Sequence, residues 1–248
     1  MNNKLLKKIA GIFGYKLIEK DFIKNQRLIS EQSSLNLKNT LNKIFKDFNI
    51  TSIIQIGAND GDKFDELKNF ISSKNLNCIL VEPIKKYFDL MTKNYSQEKN
   101  FIFENSAISV HKKINYIFSV KEKYLERYSD HVRGISSFNK SHVLKHNVKN
   151  SHIEKIKVNT QTIGELINKY QLKSLDLLYV DAEGYDGDIV LSFLRDNNKL
   201  KPIIIFEYIH IKNSIFKEVI NEMELNNYSY FSVEENLVCH PKSNNILF

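Results

Sequence analysis

The stretch Ile53-Ile-Gln-Ile-Gly-Ala-Asn-Asp-Gly61 decides the fold. A short apolar run closed by a glycine turn reads as a buried strand over 52–56, followed by a helix over 62–71. Glycines at 57 and 61 let the backbone leave the strand sharply and pass close to a ligand. The start of the following helix offers free N–H groups to an anion. The spacing is GxxxG, unlike the GxGxxG of a dinucleotide pyrophosphate site, and no Gly-Lys-Ser/Thr follows to make a phosphate-gripping loop.

Outward from this turn the same alternation repeats. A second strand over 78–81 ends at Glu82-Pro83, with a helix over 87–95 and a strand over 101–103 behind it. Strands over 175–180 and 203–206 enclose a helix over 188–194. Upstream, Leu37, Leu41, Ile44, Phe45 and Phe48 keep helical spacing, and Thr162-Ile-Gly-Glu165 has the form of a capping box. Residues 228–233 and 236–240 read as a C-terminal hairpin. Strands alternating with helices predict an α/β fold, its parallel sheet covered on both faces. The expected organisation is one domain over 37–248, preceded by a basic amphipathic arm over 1–36 and interrupted by an insertion over 111–157. In the insertion, Ile114, Tyr116, Phe118 and Val120 alternate like a half-exposed strand, and the rest through Val148 reads as too basic for a core.

Composition narrows the function classes. The 248 residues are 42% hydrophobic and 26% charged, which excludes bulk disorder. No run approaches the ~18 apolar residues of a membrane span. Cys78 and Cys239 show no metal or redox spacing, so buried thiols in a reducing cytoplasm are expected. The net charge of +7 is uneven. Residues 1–27 carry seven basic and two acidic residues, a balance of +5, and residues 28–110 carry ten of each. Residues 111–157 carry eleven basic and four acidic residues, a balance of +7, with five of the seven histidines; residues 158–248 carry eight and thirteen, a balance of −5. A nucleic-acid coat is not patchy in this way, and no RNA-binding signature occurs. The basic insertion, with Tyr116, Tyr124, Tyr128 and Phe138, suits an anionic partner. Arg127, Arg133 and Lys140 are the candidate contacts. The arm suits an anionic membrane surface, its own domain or a second subunit in a homodimer.

Several titratable residues fall at predicted strand ends, where α/β sheets collect ligands. Glu82, 25 residues after Gly57, is placed to accept hydrogen bonds from ribose hydroxyls. Asp181 and Glu183 close the fourth strand; Glu207 and His210 close the fifth. Each also has a structural reading, as a helix cap or a solvated surface group.

In these stretches the chain resembles the FkbM-type S-adenosylmethionine-dependent methyltransferases. The likeness runs over Ile54–Gly61, Leu80-Val-Glu-Pro83, Asn94-Tyr95, Asn105-Ser-Ala-Ile-Ser109, Ser136-Ser-Phe138 with His142 and His146, Leu177–Tyr185 and Lys201-Pro-Ile-Ile-Ile-Phe-Glu207. It implies a Rossmann-like class I methyltransferase sheet with an antiparallel C-terminal strand, and S-adenosylmethionine as cofactor. On this likeness Gly57, Ala58, Asn59, Asp60 and Gly61 hold the methionine end. Glu82, beside Pro83, holds the ribose, and Ser106 and Ala107 lie beside the adenine. Gln55 stands where many members carry an acid near the cofactor's amino group. Asp181 and Glu183 lie under the methyl group, with His142, His146 and His210 as rival bases; Ser137, His146 and Glu207 join the acceptor contacts. The expected chemistry is O-methylation of a sugar hydroxyl for cell-surface glycan. The rival readings are a nicotinamide dehydrogenase and a non-catalytic partner-binding module. No ligand spacing is diagnostic of a metal and none is expected, although Asp181, Glu183, Glu207 and His210 form an alternative set for a divalent cation.

Overall fold

The computed structural model describes residues 35–110, 115–196 and 199–243, with Ile12 and Lys24 alone ahead of them. The amphipathic stripe of the arm and Ile114 therefore lie outside the described residues. In chain order the strands are β1 (Ser52–Ile56), β2 (Asn77–Val81), β3 (Phe101–Glu104), β4 (Ala107–Ile108), β5 (Tyr116–Val120) and β6 (Ser136–Ser137). They continue with β7 (Ile153–Lys157), β8 (Thr160–Gln161), β9 (Leu177–Val180), β10 (Ile203–Glu207), β11 (Tyr228–Val233) and β12 (Asn236–Pro241). The helices are α1 (Leu37–Asp47), α2 (Lys68–Ile71), α3 (Lys85–Asn94), α4 (Asp130–Gly134), α5 (Lys140–Lys145), α6 (Ile163–Lys169), α7 (Asp186–Asp196) and α8 (Asn213–Leu225).

Seven strands form the main sheet in the order β11-β12-β10-β9-β1-β2-β3. The five from β3 to β10 are parallel, and β12 pairs antiparallel with both β10 and β11. This is the Rossmann-like sheet with an antiparallel C-terminal strand. Its strands read as continuous apolar runs because helices cover both faces. Ile54, Ile56, Leu178, Val180, Ile204 and Phe206 pack under α6, α7 and α8. Ile53, Leu177, Tyr179, Ile203 and Ile205 pack under α1, α2 and α3. Cys78 and Cys239 are buried free thiols. The capping box at Thr162 is formed, the Thr162 hydroxyl accepting from the Glu165 N–H and the Glu165 carboxylate from the Thr162 N–H.

Three expectations change. The helix expected over 62–71 is confined to α2. Before it, the Asp60 carboxylate accepts the Asp62 and Phe64 N–H groups, and Asp65 accepts that of Leu67, so short acidic side chains take the donors a longer helix would need. The alternation in β5 does not hold: Ile117, Ser119 and Val120 are all buried, Phe118 is half-buried and Tyr116 is exposed. Finally, the insertion has a core. The sheet β6-β5-β7 and α5 enclose Val120, Val132, Ile135, Val143, Val148 and Ile153. Its basic side chains lie outside this cluster, Lys123 and Arg127 over the Tyr124 ring and Lys155 over that of Tyr116.

Asp176 ties the N-terminal ends of the central strands together. One of its oxygens accepts from the N–H and hydroxyl of both Thr51 and Ser52, at 2.8–3.0 Å. Asp176→Ala removes all four bonds and is expected to destabilise the protein by about 2 kcal/mol, lowering Tm by roughly 4–8 °C in thermal melts.

Candidate active site

The carboxyl ends of β1, β2 and β9 meet in a cleft of about 610 Å³, walled by Gly57, Asn59, Glu82, Pro83, Ser106, Ala107, Asp181 and Glu183. Gly57 makes it possible. Its φ of +84° is left-handed, its N–H reaches the Val81 carbonyl at 2.9 Å, and a Cβ there would overlap the Asp181 carbonyl oxygen. Asn59 (φ +46°) and Glu183 (φ +50°) share that left-handed region without being glycine, so the cleft is edged by strained backbone.

Glu82 is buried. Its two carboxylate oxygens accept the Asn59 N–H at 3.1 Å and the Ile84 N–H at 2.8 Å. Each oxygen keeps a further lone pair for a donor in the cleft. Burial pushes its pKa up to about 7 against those two hydrogen bonds. Asn59 Oδ1 is buried with no hydrogen-bond partner among the described residues. An orphaned acceptor beside a buried carboxylate fits a ligand rich in donors. Across the cleft, burial and the neighbouring carboxylates of Glu183, Asp186, Glu207 and Glu66 hold Asp181 well above the usual carboxylate range. Asp186, not recognised in the sequence, shapes this wall: its carboxylate accepts the Ala182 and Gly184 N–H groups, each at 3.0 Å.

Four expected cofactor residues are supports rather than walls. Gln55 points under the sheet, its amide donating to Asp65 at 2.8 Å, and the Tyr95 hydroxyl donates to Asp65 at 2.6 Å. The period of two along β1 puts Gln55 on the face opposite Ile54 and Ile56. Ala58 is fully buried, Asp60 braces the turn, and Gly61 packs on Met91 and Tyr95. Conversely, Tyr87, Ile117, Gly134, Ser136 and Phe138 line the cleft without having been read as cofactor residues. Tyr87 comes from α3; the other four belong to the insertion, and their positions depend on how it folds back, which no local pattern reveals.

A second, solvent-open cavity of about 1190 Å³ adjoins the first, sharing Phe138 and Glu183 with it. His142, Lys145, Tyr185, Asp188, His210 and Lys212 also line it. The Glu183 carboxylate meets His142 Nε2 at 2.9 Å, and the Ser137 hydroxyl donates to the Glu183 carbonyl at 2.8 Å. His146 and His210 pack against His142, with ring centroids 5.0 and 4.7 Å away. Of the expected acceptor residues, then, His146 and Ser137 adjoin this cavity's Glu183–His142 wall, and Glu207 lies 3.8 Å from His210. Arg127 is exposed over the Tyr124 ring and, like Lys140, lines neither cavity, and the Arg133 side chain lies outside the described residues.

The fold and the cleft define an α/β protein built to hold a nucleoside-type ligand at the carboxyl edge of its sheet. More particularly, residues 55–230 match the model of the methyltransferase FkbM domain, and the chain belongs to that family. No curated protein sequence matches it. Among solved structures it is similar to an FkbM methyltransferase from Methylobacillus flagellatus, with 10% identity and a TM-score of 0.47 over 77% of this chain. The chain spans 43% of that protein's length. It is also similar to a precorrin-6y C5,15-methyltransferase from Geobacter metallireducens, with 8% identity and a TM-score of 0.42 over 82% of this chain and 85% of that one. A third is Aeropyrum pernix fibrillarin, solved with bound S-adenosylmethionine, with 9% identity and a TM-score of 0.40 over 77% and 66%.

Glu82 makes stability depend on pH. Between the ordinary value of 4.5 and about 7, the folded state holds a proton that the unfolded state has released, so stability falls as pH rises through that window. Glu82→Gln is expected to flatten the slope by up to ~1.4 kcal/mol per pH unit, read from urea melts at pH 4.5–7.5. Other carboxylates that burial raises, Asp181, Asp186 and Glu207 among them, contribute to the remaining slope.

Proposed function

We propose that this chain is an S-adenosylmethionine-dependent O-methyltransferase whose acceptor is a sugar hydroxyl of a cell-surface glycan or its nucleotide-sugar precursor. The observation that carries the reading is the polarity of the first cleft, where Glu82, Asp181 and the partnerless Asn59 Oδ1 face one space. S-adenosylmethionine supplies an electrophilic methyl group on a cationic sulfur. Its ribose hydroxyls suit Glu82, and its ammonium suits Asn59 Oδ1. A cation beside Asp181 opposes the burial and the carboxylate repulsion that hold its pKa up. Once ionised, Asp181 is more basic than an ordinary carboxylate, which suits it to orient the acceptor hydroxyl and take its proton. Glu183, at the junction of the two cavities, would hold the acceptor from the other side.

The second cavity supports a sugar acceptor. Phe138 and Tyr185 meet there edge to face at 4.9 Å, offering an apolar wall, while Lys145 and Lys212 offer charge to an acidic or phosphorylated group. Lys145 is the only Lys or Arg of the insertion that lines it among the described residues. The anionic preference therefore rests on two lysines rather than on the whole basic segment. Residues 1–27 of the arm would bring the enzyme to a membrane surface where glycan intermediates collect.

Calorimetric titration with S-adenosylmethionine, S-adenosylhomocysteine and NAD tests the reading: the first two are expected to bind, and binding of NAD alone would overturn it. Asp181→Asn should keep cofactor affinity within a few-fold yet lower turnover on nucleotide-sugar or acidic glycan acceptors by about 10²–10⁴. Turnover at the wild-type rate in that variant would remove Asp181 from the chemistry.

A further inference from the structure

Three histidines from two distant parts of the chain converge beside the second cavity. His142 and His146, four residues apart at the end of α5, share one helical face, and His210 comes from the loop after β10. One ring nitrogen from each lies within 4.8 Å of the others, and the rings are tilted at 60–78° to one another rather than stacked. Three imidazoles around one ion at 2.0–2.1 Å place their nitrogens about 3.3 Å apart, so this set has to close by no more than about 1.5 Å. His142 is buried and the other two are half-buried, which leaves one side of the cluster open toward the cavity.

The surroundings of His142 match what a metal-binding imidazole requires, and those of His210 come near it. Ligating histidines present their second ring nitrogen to a carboxylate or carbonyl, which fixes the ring and raises its basicity. Here Glu183 meets His142 Nε2 at 2.9 Å, and Glu207 lies 3.8 Å from His210 Nε2. Each carboxylate belongs to a strand end of the main sheet, whereas His142 and His146 belong to the insertion, so the cluster joins the two substructures.

We propose that His142, His146 and His210 bind one divalent transition-metal ion, zinc above all, with Glu183 and Glu207 as the outer carboxylates. The carboxylates take one ring nitrogen of His142 and His210, and the ion takes the other. Three nitrogen ligands and no thiolate suit zinc or a similar ion rather than magnesium or calcium, which prefer oxygen. Three protein ligands leave a fourth position open, facing the cavity that Glu183 shares with the first cleft. Resting on the methyltransferase reading, that position would take the acceptor's oxygen and make its hydroxyl more acidic. The binding of the ion does not depend on that reading.

The test uses the full chain after dialysis against a chelator. Titration with zinc chloride should show one ion per chain by elemental analysis, and cobalt chloride should give the visible bands of a four- or five-coordinate ion, displaced by zinc. Magnesium chloride should do neither. His146→Ala and His210→Ala should each weaken zinc binding by more than about 100-fold, and Glu207→Gln by about 10–100-fold. Circular dichroism and S-adenosylmethionine titration of the same variants report whether they remain folded. Wild-type protein that binds no zinc, or variants that keep the cobalt spectrum, would overturn the proposal. S-adenosylmethionine binding to the chelator-treated protein separates the two readings: if it persists without metal binding, only the metal site falls.

Discussion

The contact between Gly57 and the carbonyl of Asp181 is the constraint on which the site depends. Parallel pairing of β1 with β9 sets Ile56 beside Val180, so the residues that follow both strands emerge side by side. The Asp181 N–H donates to the Ile56 carbonyl at 2.9 Å, and no side chain fits at Gly57 between the two chains. With that spacing fixed, the chain after β1 turns toward β2, donating from Gly57 and Ala58 to the Val81 carbonyl. This brings the Asn59 N–H onto Glu82. One backbone approach thus places Asn59, Glu82 and Asp181 around the same space.

The carboxylates of that space are held by backbone donors rather than by ion pairs. Glu82 and Asp186 each accept two N–H groups from tight turns, and none of the described lysines or arginines pairs with either. Donors of this kind fix position without cancelling charge, which is why burial still raises both acids to about 7. A wall so built is mutually repulsive when ionised. It therefore favours a ligand that brings positive charge or many donors, and it excludes a second anion. None of the described lysines or arginines lines the first cleft, whereas Lys145 and Lys212 line the second.

Much of this was legible in the sequence, and the boundary follows the range of the signal. Apolar runs ending in Gly57, Glu82 and Asp181 marked three strand ends, because strands buried on both faces must be apolar and must stop where polarity begins. Period-two geometry could have excluded Gln55 from the cleft, since it alternates with Ile54 and Ile56. The helical spacing of Ile215, Val219 and Met223 could have disclosed α8, an element the sequence reading omitted. Other features had no local signal. Asp186 resembles any acid in a first helical turn until its carboxylate is seen to hold Ala182 and Gly184. Ile117 and Ser136 reach the cleft only through the pairing of β5 with β6, and 64 residues separate His146 from His210.

Glu183 shows why the insertion cannot be treated as a detachable recognition module. Its left-handed backbone is held by Asp186 through the flanking N–H groups and by the Ser137 hydroxyl at its own carbonyl, while its side chain engages His142. Two of those three partners, Ser137 and His142, belong to the insertion, and the third begins α7 of the main domain. A left-handed non-glycine residue costs of order 1 kcal/mol or more and persists only where its surroundings over-determine it. Here the surroundings come from both substructures, so packing of the insertion and the shape of the Asp181–Gly184 turn are coupled. A molecule in the second cavity would meet α5 at His142 and Lys145, and His142 joins that helix to Glu183 on the wall of the first. The link between the two cavities is thus a short physical chain of one hydroxyl, one carbonyl and one imidazole–carboxylate contact.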